Sequence, residues 1–181
     1  MKQQGADPVQ SFAAVSAARA STLVLGTMPG KRSLQAQRYY AHPRNSFWPI
    51  MACLFNIEIA HPAQTDADYH QALEQLTQHG IALWDVLRLC KRATSLDADI
   101  IEDSVVANDF ADFFHRHPKV ERVFFNGSKA HQLFHRHVLP ELGTVAQSLT
   151  MVKLPSTSPA HAALKFEQKL QAWRVLVDGE L

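Results

Sequence analysis

The sequence predicts an α/β fold, a three-layer α/β/α sandwich around a central, mainly parallel sheet of about four strands. One observation predicts this class and a second predicts the number of domains. Short apolar runs alternate along the chain with longer amphipathic segments, and the apolar runs end in Gly, Asn, Asp or Ser residues. The chain also contains no internal repeat and no Pro- or Gly-rich linker, so we expect a single domain over residues 1–181.

The predicted strands are apolar stretches short enough for a buried parallel sheet, and each runs into a loop. They lie within 21–30, 81–87, 120–128 and 149–162. The second of them is followed by a polar loop over 88–100. Ligands of such sheets bind at the carboxyl ends of the strands. We therefore expect a site to be formed by the loops over 26–45, 85–97, 126–129 and 155–161.

Helices are predicted between the strands from amphipathic spacing and from start and stop residues. In the helix over 45–55, either Asn45 or Ser46 serves as the N-cap. Pro49 falls in the first turn of this helix, where a missing amide costs least. The other predicted helices cover 66–80, 104–118, 129–140 and 162–179.

The composition is that of an ordinary globular domain, with 46% hydrophobic and 19% charged residues and a net charge of +1. This charge neither requires nor excludes a nucleic-acid partner, because a small enzyme can use a local basic patch. Cys53 and Cys90 are too few to hold an iron–sulfur cluster or a structural zinc ion by themselves. We expect a cytoplasmic protein without disulfides, and Cys53 to be a buried structural thiol.

No segment of the sequence is expected to meet a membrane. The N-terminal stretch "MKQQGADPVQSFAAVSAARA" lacks the continuous apolar core of a signal peptide. No window approaches the roughly 20 apolar residues that a transmembrane helix needs. The ten histidines show no metal-binding spacing, and we identify neither paired carboxylates nor a nucleophile elbow.

The loop "GTMPGKRS" follows the first predicted strand. Gly26 and Gly30 would let the backbone turn tightly or pass close to a ligand, although a plain strand-to-helix connection explains them as well. The loop lacks the Gly-Lys-Ser/Thr ending of a P-loop, so ATP chemistry is not expected. Lys31, Arg32 and Ser33 could equally be solvated surface residues.

Aromatic and amide side chains favour a binding site over a plain connection. Tyr39 and Tyr40 are adjacent, so at most one can enter the core, and the other would offer a flat face for stacking on a base. Asn45 is either a helix cap alone or an amide that holds a water or a cationic sugar above a pocket. Asn126 is either part of an Asn-Gly turn or a donor and acceptor for a base edge.

The last of these loops, "LPSTSPAHA", contains Ser156, Ser158 and His161. These residues form either a helix N-cap series or a set of hydroxyls and amides at a helix N-terminus. The second arrangement suits phosphate binding.

Three stretches, "GTMPG", "YYAHPRNSFW" and "LPSTSPAHA", resemble the uracil-DNA glycosylase superfamily, and in particular its hypoxanthine-DNA (DNA-deoxyinosine) glycosylase branch. "GIALWDVLRLCKRATSLDADI" and "VFFNGSKA" are also similar to that branch. The resemblance extends from about Phe12 to the last helix. The combination of "YYAHPRNSFW" with "LPSTSP" is far more specific than any single glycine turn.

One departure from the superfamily narrows the resemblance. Mismatch-specific uracil glycosylases have a catalytic Asn where this chain has Met28, and other branches place an Asp or Glu nearby, where it has Thr27 and Met28. In the hypoxanthine branch the Asn of a His-Pro-x-Asn element takes over, and this residue matches Asn45. The missing cysteine quartet argues against the iron–sulfur branches.

The resemblance implies a monofunctional enzyme that flips a deaminated base, with hypoxanthine as the first candidate, out of DNA and hydrolyses its N-glycosidic bond to leave an abasic site. It implies Asn45 as the catalytic residue, Tyr40 as the stacking ring, and a base pocket that includes Gly26, Thr27, Met28 and Asn126. The implied DNA contacts are Lys31, Arg32, Ser33, Arg44, Ser156, Thr157, Ser158 and His161.

The expected partner is double-stranded DNA that contains a deaminated base, with single-stranded DNA left open. We expect a monomer that needs no metal or cofactor. The alternatives are a mismatch-specific uracil-DNA glycosylase, a non-catalytic protein that binds damaged bases, and a nucleotide-binding α/β domain unrelated to DNA.

Overall fold

The structure, a computed structural model, describes residues 7–178. Within this range the chain forms seven strands and eight α-helices, numbered in chain order. The strands are β1 (Pro8–Gln10), β2 (Thr22–Gly26), β3 (Ile81–Asp85), β4 (Leu87–Lys91), β5 (Val106–Ala107), β6 (Arg122–Asn126) and β7 (Thr150–Leu154). The helices are α1 (Lys31–Ala36), α2 (Phe47–Phe55), α3 (Asp66–Gln78), α4 (Phe110–Arg116), α5 (Ser128–His137), α6 (Val145–Ser148), α7 (Phe166–Trp173) and α8 (Val175–Asp178).

The centre of the fold is a parallel sheet of four strands in the order β3-β2-β6-β7. Successive side chains of a strand face opposite sides of the sheet. Leu23 and Leu25 of β2 accordingly pack toward α4 and α5, whereas Val24 packs toward α2, α3 and α7. The predicted three-layer α/β/α sandwich with its mainly parallel four-stranded sheet is confirmed.

A second, antiparallel sheet in the order β1-β4-β5 was not predicted from the sequence. Its middle strand β4 follows β3 after one intervening residue, Val86, and all of β4 except Leu87 lies in the segment predicted from the sequence as a polar loop over 88–100. Leu87 and Cys90 of β4 are buried, whereas Arg88 and Lys91 are exposed. Buried and exposed residues are therefore mixed along the strand without a regular alternation, which is why the sequence pattern did not predict it.

The helix predicted over 104–118 is shorter than expected. Strand β5 and an irregular segment occupy its first part, and α4 begins only after Asp109. The Asp109 carboxylate accepts a hydrogen bond from the Asp112 backbone N–H at 2.9 Å, which is a typical N-cap. Asn108 and Asp109 thus start the helix, and the β-branched Val105 and Val106 before them favour extended backbone.

The final helix also begins later than the predicted residue 162. Helix α7 starts at Phe166, and the preceding segment forms turns. The loop over 155–161 is therefore not at a helix N-terminus, and that part of the prediction was wrong. Gly179, the last residue of the predicted helix, lies outside the described residues.

The two cysteines differ from each other in burial. Cys90 is buried, but Cys53 is exposed on α2, so the prediction of a buried Cys53 was wrong. The buried face of α2 consists of Phe47, Trp48, Ile50 and Met51. Cys53 lies on the opposite side of this helix. Among residues 7–178 we find no helix whose length and apolar character would allow it to cross a membrane.

Candidate functional site

The four loops predicted from the sequence meet at the carboxyl edge of the parallel sheet and line one cavity of about 670 Å³. This volume is typical of small-ligand sites. Every residue predicted for the site lines this cavity. These residues are Gly26, Thr27, Met28, Lys31, Arg32, Ser33, Tyr40, Arg44, Asn45, Asn126, Ser156, Thr157, Ser158 and His161. The cavity brings them together, while their individual roles stay predictions.

Gly26 forms part of the cavity floor at the end of β2. A β-carbon at this position would lie 2.6 Å from Oδ1 of Asp85 and 3.3 Å from the hydroxyl of Tyr40. Side chains from two other parts of the chain therefore use the space that a larger residue would fill. A larger residue at this position would force the Asp85 carboxyl group to move.

The two adjacent tyrosines have different environments. Tyr39 is buried in the core, and its hydroxyl donates to the backbone carbonyl of Ala13 at 3.1 Å. Tyr40 lines the cavity and adopts a left-handed backbone conformation with φ of 55°. Its ring stacks on Phe47 with centroids 4.0 Å apart and an interplanar angle of 24°. Phe47 thus covers one face of the Tyr40 ring, and stacking of a base on the other face stays a prediction.

The Tyr40 hydroxyl is buried and has no hydrogen-bond partner among the described residues. Burial raises the pKa of Tyr40, and the nearby charge of Asp85 raises it further. The hydroxyl therefore stays protonated at neutral pH and can donate a hydrogen bond to a ligand.

Asn45 makes a contact at the start of a helix and also lines the cavity, while its predicted role toward a water or a sugar stays a prediction. Its Oδ1 accepts a hydrogen bond from the backbone N–H of Phe47 at 2.9 Å, so it stabilises the start of α2. Ser46 occupies the N-cap position but makes no capping bond with its side chain. The contact holds the Asn45 amide in a fixed orientation at the cavity, and its oxygen keeps a second lone pair for a ligand.

Asn126 and Thr157 hold each other in place. The amide nitrogen of Asn126 donates to Oγ1 of Thr157 at 2.8 Å, and its amide oxygen accepts from the Thr157 backbone N–H, also at 2.8 Å. The Thr157 carbonyl accepts from the backbone N–H of Ser46 at 3.0 Å. Thr157 is fully buried, so this geometry favours a structural role for it over the predicted contact with DNA.

The rest of the 155–161 loop is held by local side-chain contacts. The hydroxyls of Ser156 and Ser158 each accept from the backbone N–H two residues later, at 3.2 Å. The buried Lys169 ammonium donates to the Ser158 carbonyl at 3.3 Å. These short turns take the place of the expected helix N-terminus and fix the shape of the loop.

The rim of the cavity carries a basic patch. Lys31, Arg32 and Arg44 are exposed, and none of their side chains forms an ion pair with another residue of 7–178. Ser33, by contrast, is buried, and its hydroxyl accepts from the Ala41 backbone N–H at 3.2 Å. Three of the predicted DNA contacts are thus available for phosphates, while Ser33 stabilises the loop.

Two acidic residues of the cavity were missed by sequence reasoning. Asp85 ends β3 and is only 3% exposed, and burial raises its pKa to about 7. Asp97 accepts a hydrogen bond from Oγ1 of Thr27 at 2.9 Å, and burial raises its pKa as well. The signal in the sequence was an Asp at the end of an apolar strand, at the start of the loop over 85–97 that was expected to contribute to the site. Between residues 7 and 178, no three acidic, His or Cys residues are grouped so that they could hold a metal ion.

The fold places the cavity at the carboxyl edge of a parallel sheet, and its lining would suit a flat, polar ligand that carries negative charge. An aromatic ring and an amide line the cavity, and cations without ion-pair partners among residues 7–178 surround its rim. The family model described as "Uracil DNA glycosylase superfamily" matches residues 13–177, which is nearly the whole chain. The chain belongs to this superfamily.

Relatives with assigned names give the same result. The chain is 31% identical over 130 residues to a protein of Methanosarcina barkeri named hypoxanthine DNA glycosylase, covering 72% of this chain and 74% of the relative. It is also 31% identical over 121 residues to a protein of the same name from Methanosarcina acetivorans, covering 67% and 72%.

A solved structure extends the similarity to the fold. It is a solution NMR structure from Methanosarcina acetivorans, whose description gives uracil DNA glycosylase as a candidate activity. The TM-score is 0.71 with 27% identity, and the match covers 94% of this chain and 99% of the other. The predicted superfamily, its hypoxanthine branch and the assignment as a DNA repair glycosylase are thereby confirmed.

Proposed function

We propose that this protein excises hypoxanthine from DNA that contains deoxyinosine and leaves an abasic site. The observation that carries the proposal is that the same cavity has Met28 at one position and Asn45 at another. Position 28 offers no polar side chain, whereas the Asn45 amide is held at the same cavity by its bond to Phe47. The names of the relatives in Methanosarcina support the choice of substrate.

The reaction begins with extrusion of the damaged nucleotide. A base inside a duplex cannot reach the cavity, and flipping it out costs a few kcal/mol. Deaminated bases form weaker pairs, which lowers this cost and contributes to selectivity. The extruded base then lies against the open face of Tyr40, above the floor at Gly26.

Hydrolysis of the N-glycosidic bond passes through a transition state that resembles an oxocarbenium ion. An amide is too weakly basic to be a general base. The Asn45 oxygen instead orients the attacking water and places partial negative charge near the cationic sugar.

The loop after β2 provides hydrogen-bond donors on the side of the departing base. The backbone N–H groups of Met28 and Gly30 make no hydrogen bond within residues 7–178, and both residues line the cavity. They are available to stabilise negative charge on the departing base.

The test is a single-turnover excision assay on matched duplexes that contain inosine, uracil or xanthine. We expect the inosine duplex to be cleaved fastest. Uracil is the second candidate, because one similar structure carries that description. Faster release of uracil than of hypoxanthine would contradict the proposed substrate, and tight binding without release would indicate a non-catalytic protein.

Further features of the proposal follow from the sequence. We propose a monofunctional enzyme of one domain that acts as a monomer in the cytoplasm and needs no metal or cofactor. Duplex DNA with a deaminated base is the proposed partner, and single-stranded DNA is a second substrate to test.

Tyr40→Ala is expected to weaken binding of an extruded base by about 1–3 kcal/mol, the usual contribution of a base–aromatic stack. Tyr40→Phe keeps the ring and should have a mild effect. Fluorescence titration with a duplex that carries a stable inosine analogue measures the affinity of each variant. Equal losses in the two variants would assign the effect to the hydroxyl and contradict stacking.

Replacing Lys31 and Arg32 together with Ala is expected to weaken binding to damaged and undamaged duplexes alike. Two lost phosphate contacts should reduce the slope of log affinity against log salt by about 1.8. The matched control replaces Arg19 and Lys119, which are exposed and precede β2 and β6 at the opposite edge of the sheet. An equal loss of affinity in this control would mean that net charge, and not the rim of the cavity, binds the DNA.

A further inference from the structure

Asp85 is a buried carboxyl group at the floor of the cavity for which the proposed mechanism has no role so far. It is 3% exposed and ends β3, beside the end of β2 in the sheet. Its Oδ2 accepts a hydrogen bond from the Ser11 hydroxyl at 2.7 Å. Its Oδ1 lies next to Gly26, and both residues line the cavity. The Ser11 contact is the only hydrogen bond of this carboxyl group among the described residues, so Oδ1 has no partner there.

We propose that Asp85, in its neutral form, donates the proton on Oδ1 to the base as the glycosidic bond breaks. This inference rests on the proposed function, since it assigns a second catalytic residue to the same cavity. Asn45 and Asp85 would then act on the two sides of the bond, with the amide at the sugar and the acid at the base.

The geometry separates the two oxygens of Asp85. Ser11 occupies Oδ2, so Oδ1 is the oxygen that can reach a ligand. Gly26 leaves the space for this oxygen, because a β-carbon there would lie only 2.6 Å away. Any side chain at position 26 would therefore displace the proposed acid. This accounts for glycine as the last residue of β2, where the strand meets the cavity.

The groups around Asp85 are consistent with one proton exchange near neutral pH. Burial raises the pKa of the nearby phenols of Tyr39, Tyr40 and Tyr69, to about 12 for Tyr69, and the charge of Asp85 raises each pKa further. They stay neutral in this range. The charges of Asp97 and Arg92 oppose each other, Asp97 raising the pKa of Asp85 and Arg92 lowering it.

The step balances in atoms and electrons. The bond between C1′ of the sugar and the ring nitrogen of the base breaks, and its electron pair goes to the base. The proton from Oδ1 neutralises the base. The attacking water adds its hydroxide to C1′ and releases its other proton to solvent. The Asp85 carboxylate then recovers a proton from solvent before the next turnover.

The experiment measures the single-turnover rate of hypoxanthine release from an inosine duplex between about pH 5.5 and about pH 8.5. The acid form is active, so the wild-type rate is expected to fall as pH rises through about 7, where Asp85 loses its proton. D85N keeps the shape but cannot donate, and we expect a loss of about 100-fold or more and no inflection near pH 7.

Two further variants distinguish catalysis from a structural role. Ser11→Ala removes the donor that stabilises the carboxylate, so it should move the inflection to higher pH without abolishing release. Asp112→Asn changes an exposed carboxylate on α4 and should retain the wild-type profile. D85N should be at least as stable as the wild type at pH 8, because burial disfavours the charged carboxylate that it removes.

A wild-type rate that is independent of pH across this range, or an inflection that persists in D85N, would overturn the role of Asp85 and leave the proposed function standing. If D85N fails to fold, an unchanged inflection in Ser11→Ala overturns that role in the same way. Absence of hypoxanthine release by the wild type at every pH overturns the proposed function itself.

Discussion

Replacing Asn45 with Ala is expected to lower the single-turnover rate of base release by about 100- to 1000-fold, while binding to duplex DNA persists. This is the usual cost of removing one positioned polar group that acts on transition-state charge. The Asn45 amide is fixed by its bond to Phe47 and lines the cavity where Met28 offers no substitute. Quantification of released hypoxanthine at saturating enzyme measures the effect.

The same variant loses a helix cap, so stability is the necessary control for this prediction. Losing the hydrogen bond to Phe47 should cost about 1 kcal/mol of unfolding free energy, which thermal unfolding detects. Ser46→Ala is the matched variant, since the adjacent Ser46 side chain makes no capping bond, and it should retain activity. Release by Asn45→Ala at close to the wild-type rate would remove Asn45 from catalysis.

The second large effect is expected at Asn126. Asn126→Ala should destabilise the protein by about 2–3 kcal/mol, because it leaves the backbone N–H and the hydroxyl of the fully buried Thr157 without partners. For a chain of this size the melting temperature should fall by about 5 to 10 °C. Differential scanning calorimetry gives the value.

A specific consequence for function accompanies this loss of stability. Thr157 also binds Ser46, so loosening it should disorder the contact between the 155–161 loop and the segment that carries Asn45. We expect base release to fall at temperatures where Asn126→Ala is still folded. Thr157→Ser keeps both hydrogen-bonding groups and should change stability much less. An unchanged melting temperature in Asn126→Ala would contradict the structural role of this pair.

The parallel sheet could be predicted from the sequence because its strands are buried on both faces. Leu23, Val24 and Leu25 are completely buried, and such continuous apolar runs need no partner to be recognised. Strand β4 could not be recognised in this way, because it is half exposed. Its identity depends on pairing with β1 and β5, which are distant in the sequence or very short.

The site was predicted as a set of loops more accurately than as a set of contacts. Ligands bind at the carboxyl ends of parallel strands, and this rule predicted the four loops that line the cavity. Which polar groups are already paired within the protein could not be predicted. Asn126 and Thr157 are separated by 31 positions, and Ser11 and Asp85 by 74. Burial and pairing at such distances arise only from the folded arrangement.

The central claim is that the cavity at the carboxyl edge of the sheet breaks the glycosidic bond of an extruded hypoxanthine. The most direct measurement is product analysis of an inosine duplex after one turnover, with chromatography for the free base and alkaline cleavage for the abasic strand. We predict equal amounts of free hypoxanthine and abasic strand from the wild type, and neither product in the same time from Asn45→Ala. Recovery of the intact deoxyinosine strand from the wild type, or equal release by both proteins, would contradict the claim.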